Sequence, residues 1–280
     1  MIQFRKAERS KSKLRLGLSG PAGSGKTRSS LELAKGLGGK TAFIDSENGS
    51  GDLYADTFDY DILRINAPFT CEKYIEAIKG AEAAGYDNII IDSLSHAWSG
   101  DGGLLDQQGK WADKEKGNSY TAWRHVTPLH NKLIEAMLQS KCHVIATMRS
   151  KVEYVLAETT NRAGTKVMAP KKIGMAPVQR EGMDYEFSVV FDIDTDHEAK
   201  ASKDRTGMFS EPLPFQLTAE TGKKISEWLN SGKDAEIQCD ACIKQGKAGA
   251  ATVTIDGRKL CVEHLEVYNK WKLTQAVPAA

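Results

Sequence analysis

Long apolar runs are missing from this chain. None approaches the roughly 20 residues that a membrane-crossing helix needs, and no signal-peptide pattern opens the sequence. Net charge is nearly missing too, since 38 Lys and Arg against 37 Asp and Glu leave +1. Overall charge therefore predicts no polyanion partner, and nucleic-acid affinity would have to come from local patches. Cysteines number five, an odd count that argues against a disulfide framework and for a reducing, cytoplasmic compartment. No internal repeat is found, and no membrane partner is expected. What is there is 280 residues, 40% hydrophobic and 27% charged. That composition is ordinary for a soluble protein with a real core, long enough for one large domain and an appendage.

Residues 1–13 are polar and strongly basic and read as an arm. From Leu14 short apolar runs alternate with helical periods: strands over 14–19, 41–45, 61–65, 88–92 and 143–147, helices over 26–37, around 72–83 and near 124–139. Such repeated strand–helix–strand units predict an α/β domain with a mainly parallel sheet flanked by helices. Residues 186–194 and 197–203 are close enough to pair as a hairpin, and 223–230 reads as a closing helix. Two stretches, 95–120 and 149–182, read as long irregular loops, which in a compact domain are usually functional or mobile. The core is expected over 14–232, and 233–280 as a separate module where cysteine density jumps.

The segment Gly20-Pro21-Ala22-Gly23-Ser24-Gly25-Lys26-Thr27 fits G-x-x-x-x-G-K-S/T in full, followed by Arg28. It follows an apolar strand and opens a helix, where a phosphate-cradling loop must sit. Backbone N–H groups and the helix N-terminus would face the β- and γ-phosphates of ATP. Lys26 would reach the phosphates and the Thr27 hydroxyl would ligate Mg²⁺. Asp92, ending the strand NIIID, would hold Mg²⁺ through water.

Hydrolysis also needs a group that orients the attacking water. In many P-loop ATPases a glutamate directly follows the second-motif aspartate, but here that residue is Ser93. Strand ends of a parallel sheet converge on the ligand crevice. Glu47, just past the strand Thr41–Asp45, is therefore the expected catalytic base. The alternative is a solvated strand-end charge.

The C-terminal part holds Cys239-x₂-Cys242, an 18-residue spacer, and Cys261-x₂-His264. Ligand pairs at this spacing suit a structural Zn²⁺ site with four protein ligands and no open position. Between them TVTIDGRKL reads as a hairpin turning at Asp-Gly. A module this small needs such a metal to hold a core.

The runs FIDSENGSGDLY and GYDNIIIDSLS resemble the RecA-type recombinase core, over about Leu14 to Leu94. The whole chain looks most like compact RecA-like P-loop ATPases encoded by bacteriophages, some of which are single-strand annealing recombinases. The resemblance implies a RecA-like fold, the cytoplasm of a bacterium or infected host cell, and Tyr54 stacking on adenine. It implies self-assembly into a homo-oligomer with ATP at the protomer interface. Lys203 and Arg205 would enter the neighbour's site from a hairpin, and Phe4-Arg5-Lys6-Ala7 matches an F-x-x-A tether. The glutamine that senses the γ-phosphate in RecA is missing, leaving Thr147 for that task.

In RecA-like proteins the two loops after the second motif and the sensor strand hold single-stranded DNA. Here the second stretch carries Arg149, Lys151, Arg162, Lys166, Lys171, Lys172 and Arg180 against three Glu. Spaced cations suit backbone phosphates. The first offers Trp98, Trp111 and Tyr120 for base stacking. The function expected is a DNA-stimulated ATPase assisting annealing or strand exchange in phage-type recombination, with a single-strand-binding protein as a further candidate partner. The rivals are a ring-forming DnaB-like motor and a nucleotide-gated module acting through a protein partner.

Overall fold

The computed structural model describes residues 6–115, 117–160, 166–210, 213–234, 239–245 and 251–275. Backbone contacts divide the chain into two compact units, Ser12–Leu229 and the pair Met1–Lys11 with Asn230–Ala280.

The larger unit opens with β1 (Arg15–Gly20), α1 (Lys26–Leu37), β2 (Thr41–Asp45), β3 (Asp61–Arg64), α2 (Cys71–Ala83) and β4 (Asn88–Asp92). It continues through α3 (Ser95–Ser99), α4 (Leu104–Lys114), α5 (Ser119–Gln139), β5 (His143–Thr160) and β6 (Lys166–Pro177). β7 (Val189–Ile193), β8 (Ala199–Asp204) and α6 (Ala219–Asn230) complete it. Among the described residues eight strands form one sheet in the order β3-β2-β4-β5-β1-β7-β8, with β6 paired to β5 off that path. From β3 to β7 in that order all neighbours are parallel, whereas β8 returns antiparallel along β7.

A parallel sheet must be covered on both faces, and alternation along its strands sorts the core into two layers. Ile89 and Ile91 of β4 pack with Tyr74 and Ile78 of α2 and with Val126, Leu133 and Met137 of α5. Ile90 points the other way, to Leu31 and Leu33 of α1 and Ile225 and Leu229 of α6. Cys71 and Cys142 are buried among these residues, as expected of small hydrophobes.

Among the described residues both stretches expected to be irregular form helices and strands. Within 95–120 lie α3 and α4, and Leu104 and Ala112, two turns apart, face the core. The glycines that suggested a loop are the break between these helices, where Gly102 has φ +72° and a Cβ would strike Pro68. α5 begins at Ser119 rather than near 124 because the Asn118 side chain caps it, accepting the Thr121 N–H at 3.1 Å.

The second stretch is a β-hairpin. β5 continues past Thr147 and pairs antiparallel with β6 from Ser150↔Pro177 to Thr160↔Lys166. Val152, Tyr154, Val155, Thr159 and Thr160 carry the strand propensity that the charge density concealed. β1 accompanies β5 only as far as Gly20↔Arg149. The hairpin therefore extends beyond the carboxyl edge of the central strands.

In the smaller unit the arm is paired. Lys11 N–H donates to the Lys233 carbonyl at 2.8 Å and Lys233 N–H to that of Arg9 at 2.9 Å. Lys11 faces Asp234, and Lys233 faces Glu8. Phe4 and Arg5 of the F-x-x-A segment lie outside the described residues. α7 (Asp240–Lys244), a hairpin of β9 (Val253–Ile255) and β10 (Arg258–Leu260), and α8 (Val262–Gln275) follow. Asp256 (φ +46°) and Gly257 (φ +74°) form the expected tight turn. No helix among the described residues is long and apolar enough to cross a membrane.

Candidate functional site

The phosphate loop leaves the carboxyl end of β1 and enters α1. Gly23 and Gly25 adopt φ of +78° and +86°, which side-chain-bearing residues rarely take. At Gly20 a Cβ would collide with Ser24 Oγ and the Ile193 carbonyl. The loop is thus shaped for close backbone approach to a phosphate chain. Lys26 Nζ donates to the carbonyls of Gly20 (2.9 Å) and Pro21 (2.7 Å). Burial lowers the Lys26 pKa, while Asp92 and Glu47 pull it upward.

Register brings the acids to the same edge, because Asp45 and Asp92 are partners across β2 and β4. Asp92 is almost wholly buried. Its Oδ2 accepts the Thr27 hydroxyl at 2.6 Å and its Oδ1 accepts that of Thr147. Burial pushes the Asp92 carboxyl above its ordinary value, against the lowering by these two hydroxyls. A hydroxyl and a buried carboxylate side by side are oxygen donors that suit a hard divalent cation, so Thr27 and Asp92 fit Mg²⁺.

Glu47 stands next to them. Its Oε1 accepts Ser93 Oγ–H at 2.8 Å and Arg149 Nε–H at 2.9 Å, and its Oε2 accepts from an Arg149 terminal nitrogen. Burial raises the Glu47 pKa, but the hydrogen bonds from Arg149 and Ser93 outweigh it and hold the carboxyl below its usual range. Ser46 Oγ bridges to the Ser93 backbone and to His96 Nδ1 at 2.9 Å. Asp45 Oδ1 accepts the Glu47 N–H at 2.6 Å.

A cavity of about 690 Å³ opens beside the loop, lined by Gly23, Gly25, Lys26, Thr27, Arg28 and Tyr54 together with His197 and Gln216–Thr218. Pro21, Ala22 and Ser24 complete the loop, with Ser24 buried beneath it. His197 and Gln216–Thr218 belong to no motif. Only the β7–β8 turn and the approach to α6 bring them here, so no sequence signal marked them.

Other expected site residues lie elsewhere. Arg149, expected among the cations of a DNA-binding loop, has its guanidinium bound to Glu47. Lys203 and Arg205 are at the base of the β7–β8 hairpin, not its tip, since Lys203 pairs with Val190 near the start of β7. They donate to the carbonyls of Asp184 (2.7 Å) and Tyr185 (2.8 Å). Lys151 is exposed on β5. Arg180 lies 5.7 Å from the Trp123 ring centre. Lys166, Lys171 and Lys172 are on β6, and Arg162 lies outside the described residues. Trp98 stacks on Trp123 and Trp111 on His125; Trp111 stays partly exposed and Tyr120 is exposed.

In the smaller unit Cys239, Cys242, Cys261 and His264 present ligand atoms all within 4.8 Å of one another. His264 Nδ1 is 3.5, 3.4 and 3.2 Å from the sulfurs of Cys239, Cys242 and Cys261. Three thiols and an imidazole closing on one point fit Zn²⁺.

The sequence model of a family described as "AAA domain" matches residues 12–215, which include every element from β1 to β8. No curated protein matches the chain.

Proposed function

The chain belongs to the AAA-domain family, and we propose that it is a Mg²⁺-dependent ATPase that binds single-stranded DNA and assists annealing or strand exchange. The observation that carries this reading is the convergence of Lys26, Thr27, Asp92 and Glu47, from the ends of three strands, on one phosphate loop.

Lys26 swings from the loop carbonyls to the phosphates, exchanging neutral acceptors for charged ones. Thr27 and Asp92 would hold Mg²⁺, which when bound neutralises charge on the β- and γ-phosphate oxygens. Glu47 takes the proton of the attacking water, with Ser93 fixing its carboxylate. Tyr54 and Gln216–Thr218 receive the nucleoside in the adjoining cavity. The RecA-like ancestry suggested by FIDSENG and NIIIDS supports the DNA reading. So do the lysines at 151, 166, 171 and 172 on a hairpin that leaves the sheet beside the phosphate loop. In an oligomer Lys203 and Arg205 would serve a neighbour's site, because they sit at the edge of the sheet opposite their own loop.

The clamp of Arg149 on Glu47 favours one second reading, a nucleotide-gated module with slow turnover. Steady-state ATP hydrolysis with and without single-stranded DNA, at low and high salt, separates the two. Stimulation that fades with salt, and is lost in Lys171→Glu/Lys172→Glu, supports the DNA-dependent ATPase. Turnover indifferent to DNA at every salt concentration supports the gated module.

A further inference from the structure

Arg149 is a charged residue of the site that belongs to none of its motifs. Its Cα is the register partner of Gly20, the first glycine of the phosphate loop, so the two chains run about 4.8 Å apart there. From that position the guanidinium reaches across β4 to Glu47 and occupies both carboxylate oxygens. Its backbone is tied on two sides. The N–H donates to Ser95 Oγ at 2.9 Å, just past β4, and the carbonyl accepts the Val178 N–H at 2.6 Å, at the root of the β5–β6 hairpin.

We propose that Arg149 is the γ-phosphate sensor of this site, exchanging Glu47 for the terminal phosphate when a nucleoside triphosphate is bound. This rests on the ATPase reading. With Arg149 on Glu47, Oε1 accepts from both Arg149 and Ser93 and Oε2 from Arg149. Three of the four lone-pair sites are thus taken, and the guanidinium charge holds down the basicity of the fourth. A γ-phosphate next to Lys26 offers more negative charge and a planar pair of oxygens, which a guanidinium fork matches as well as it matches a carboxylate. Moving to it releases Glu47 as the base. One side chain would thus report the presence of the third phosphate and arm the hydrolytic group. Because Arg149 roots the hairpin, the same exchange is felt by β5 and β6. A diphosphate leaves Arg149 on Glu47.

The test is equilibrium binding, by calorimetry with Mg²⁺, of ADP and of a non-hydrolysable ATP analogue to the full chain. Arg149→Ala is expected to weaken the analogue by about tenfold or more, the scale of a lost charged hydrogen-bond pair. ADP affinity should change by less than about twofold. Arg149→Lys, which keeps charge but not the fork, should fall between and serves if the alanine variant does not fold. Equal losses for both nucleotides, or no loss for the analogue, would overturn the assignment. Lys26→Ala is the separate control: if it binds both nucleotides like the parent, the phosphate site itself is misassigned. If it loses both while Arg149→Ala shows no preference, only the sensor fails.

Discussion

Ser93 donates its hydroxyl to Glu47 Oε1 at 2.8 Å. The position that in many P-loop ATPases carries a catalytic glutamate here carries a serine, and that serine holds Glu47 from the neighbouring strand. In the proposed mechanism β2 and β4 divide between them what one strand provides elsewhere, and this hydrogen bond links the two.

Ser93→Ala should therefore slow hydrolysis without weakening nucleotide binding. This hydrogen bond orients the Glu47 carboxylate, and a misplaced catalytic group is expected to lower turnover by about tenfold or more. The check is kcat against the dissociation constant for ATP. A drop in affinity with unchanged kcat would place Ser93 in binding instead.

Metal removal should act on the smaller unit first. Chelation is expected to release close to one zinc per chain and to melt the region 239–264 while β1 to β8 keep their structure. Hydrogen exchange reports the two regions separately. A metal assay finding no zinc in native protein would contradict the Cys239, Cys242, Cys261 and His264 assignment.

Stability should fall in mild acid through two histidines. Burial pushes His130 and His143 down to about 4 from 6.5, and His143 Nδ1 must stay neutral to accept the Leu14 N–H at 3.0 Å. Between those two pH values the unfolded chain binds protons that the folded chain does not. Stability therefore rises with pH across the window and is lost as pH falls through it. Melting temperatures at pH 7 and pH 5 should differ less in His143→Gln than in the parent. An equal difference would remove His143 from the account.

Gly36 offers a test of packing against propensity. Alanine inside a helix ordinarily gains up to about 1 kcal/mol over glycine, and Gly36 is the penultimate residue of α1. Here a Cβ at Gly36 would run into the backbone of Ala219, and one at Gly222 into that of Leu33, so α1 and α6 meet through glycines. Gly36→Ala should lower stability by about 1–3 kcal/mol, the usual cost of overpacking, seen as a lower denaturation midpoint. A raised midpoint would mean that the helices part easily.

The phosphate loop and the strand ends were legible because their chemistry is local, with glycines, a lysine and apolar runs at fixed spacing. The cluster of Cys239, Cys242, Cys261 and His264, which could hold a metal, was legible for the same reason. The Glu47–Arg149 pair spans 102 residues, and no spacing rule connects such partners. Lysine density hid the β5–β6 hairpin and glycine density hid α4, since both compositions also describe loops. His197 and Gln216–Thr218 reach the cavity beside the phosphate loop only through the return of β8 and its link to α6, which is topology rather than pattern.

The most direct test of the central claim is Glu47→Gln, with ATP binding and ATP turnover measured on the same preparation. The account predicts binding within about twofold of the parent and turnover reduced by about 10²-fold or more, the scale of a lost general base. Parental turnover with parental binding would contradict Glu47 as the base.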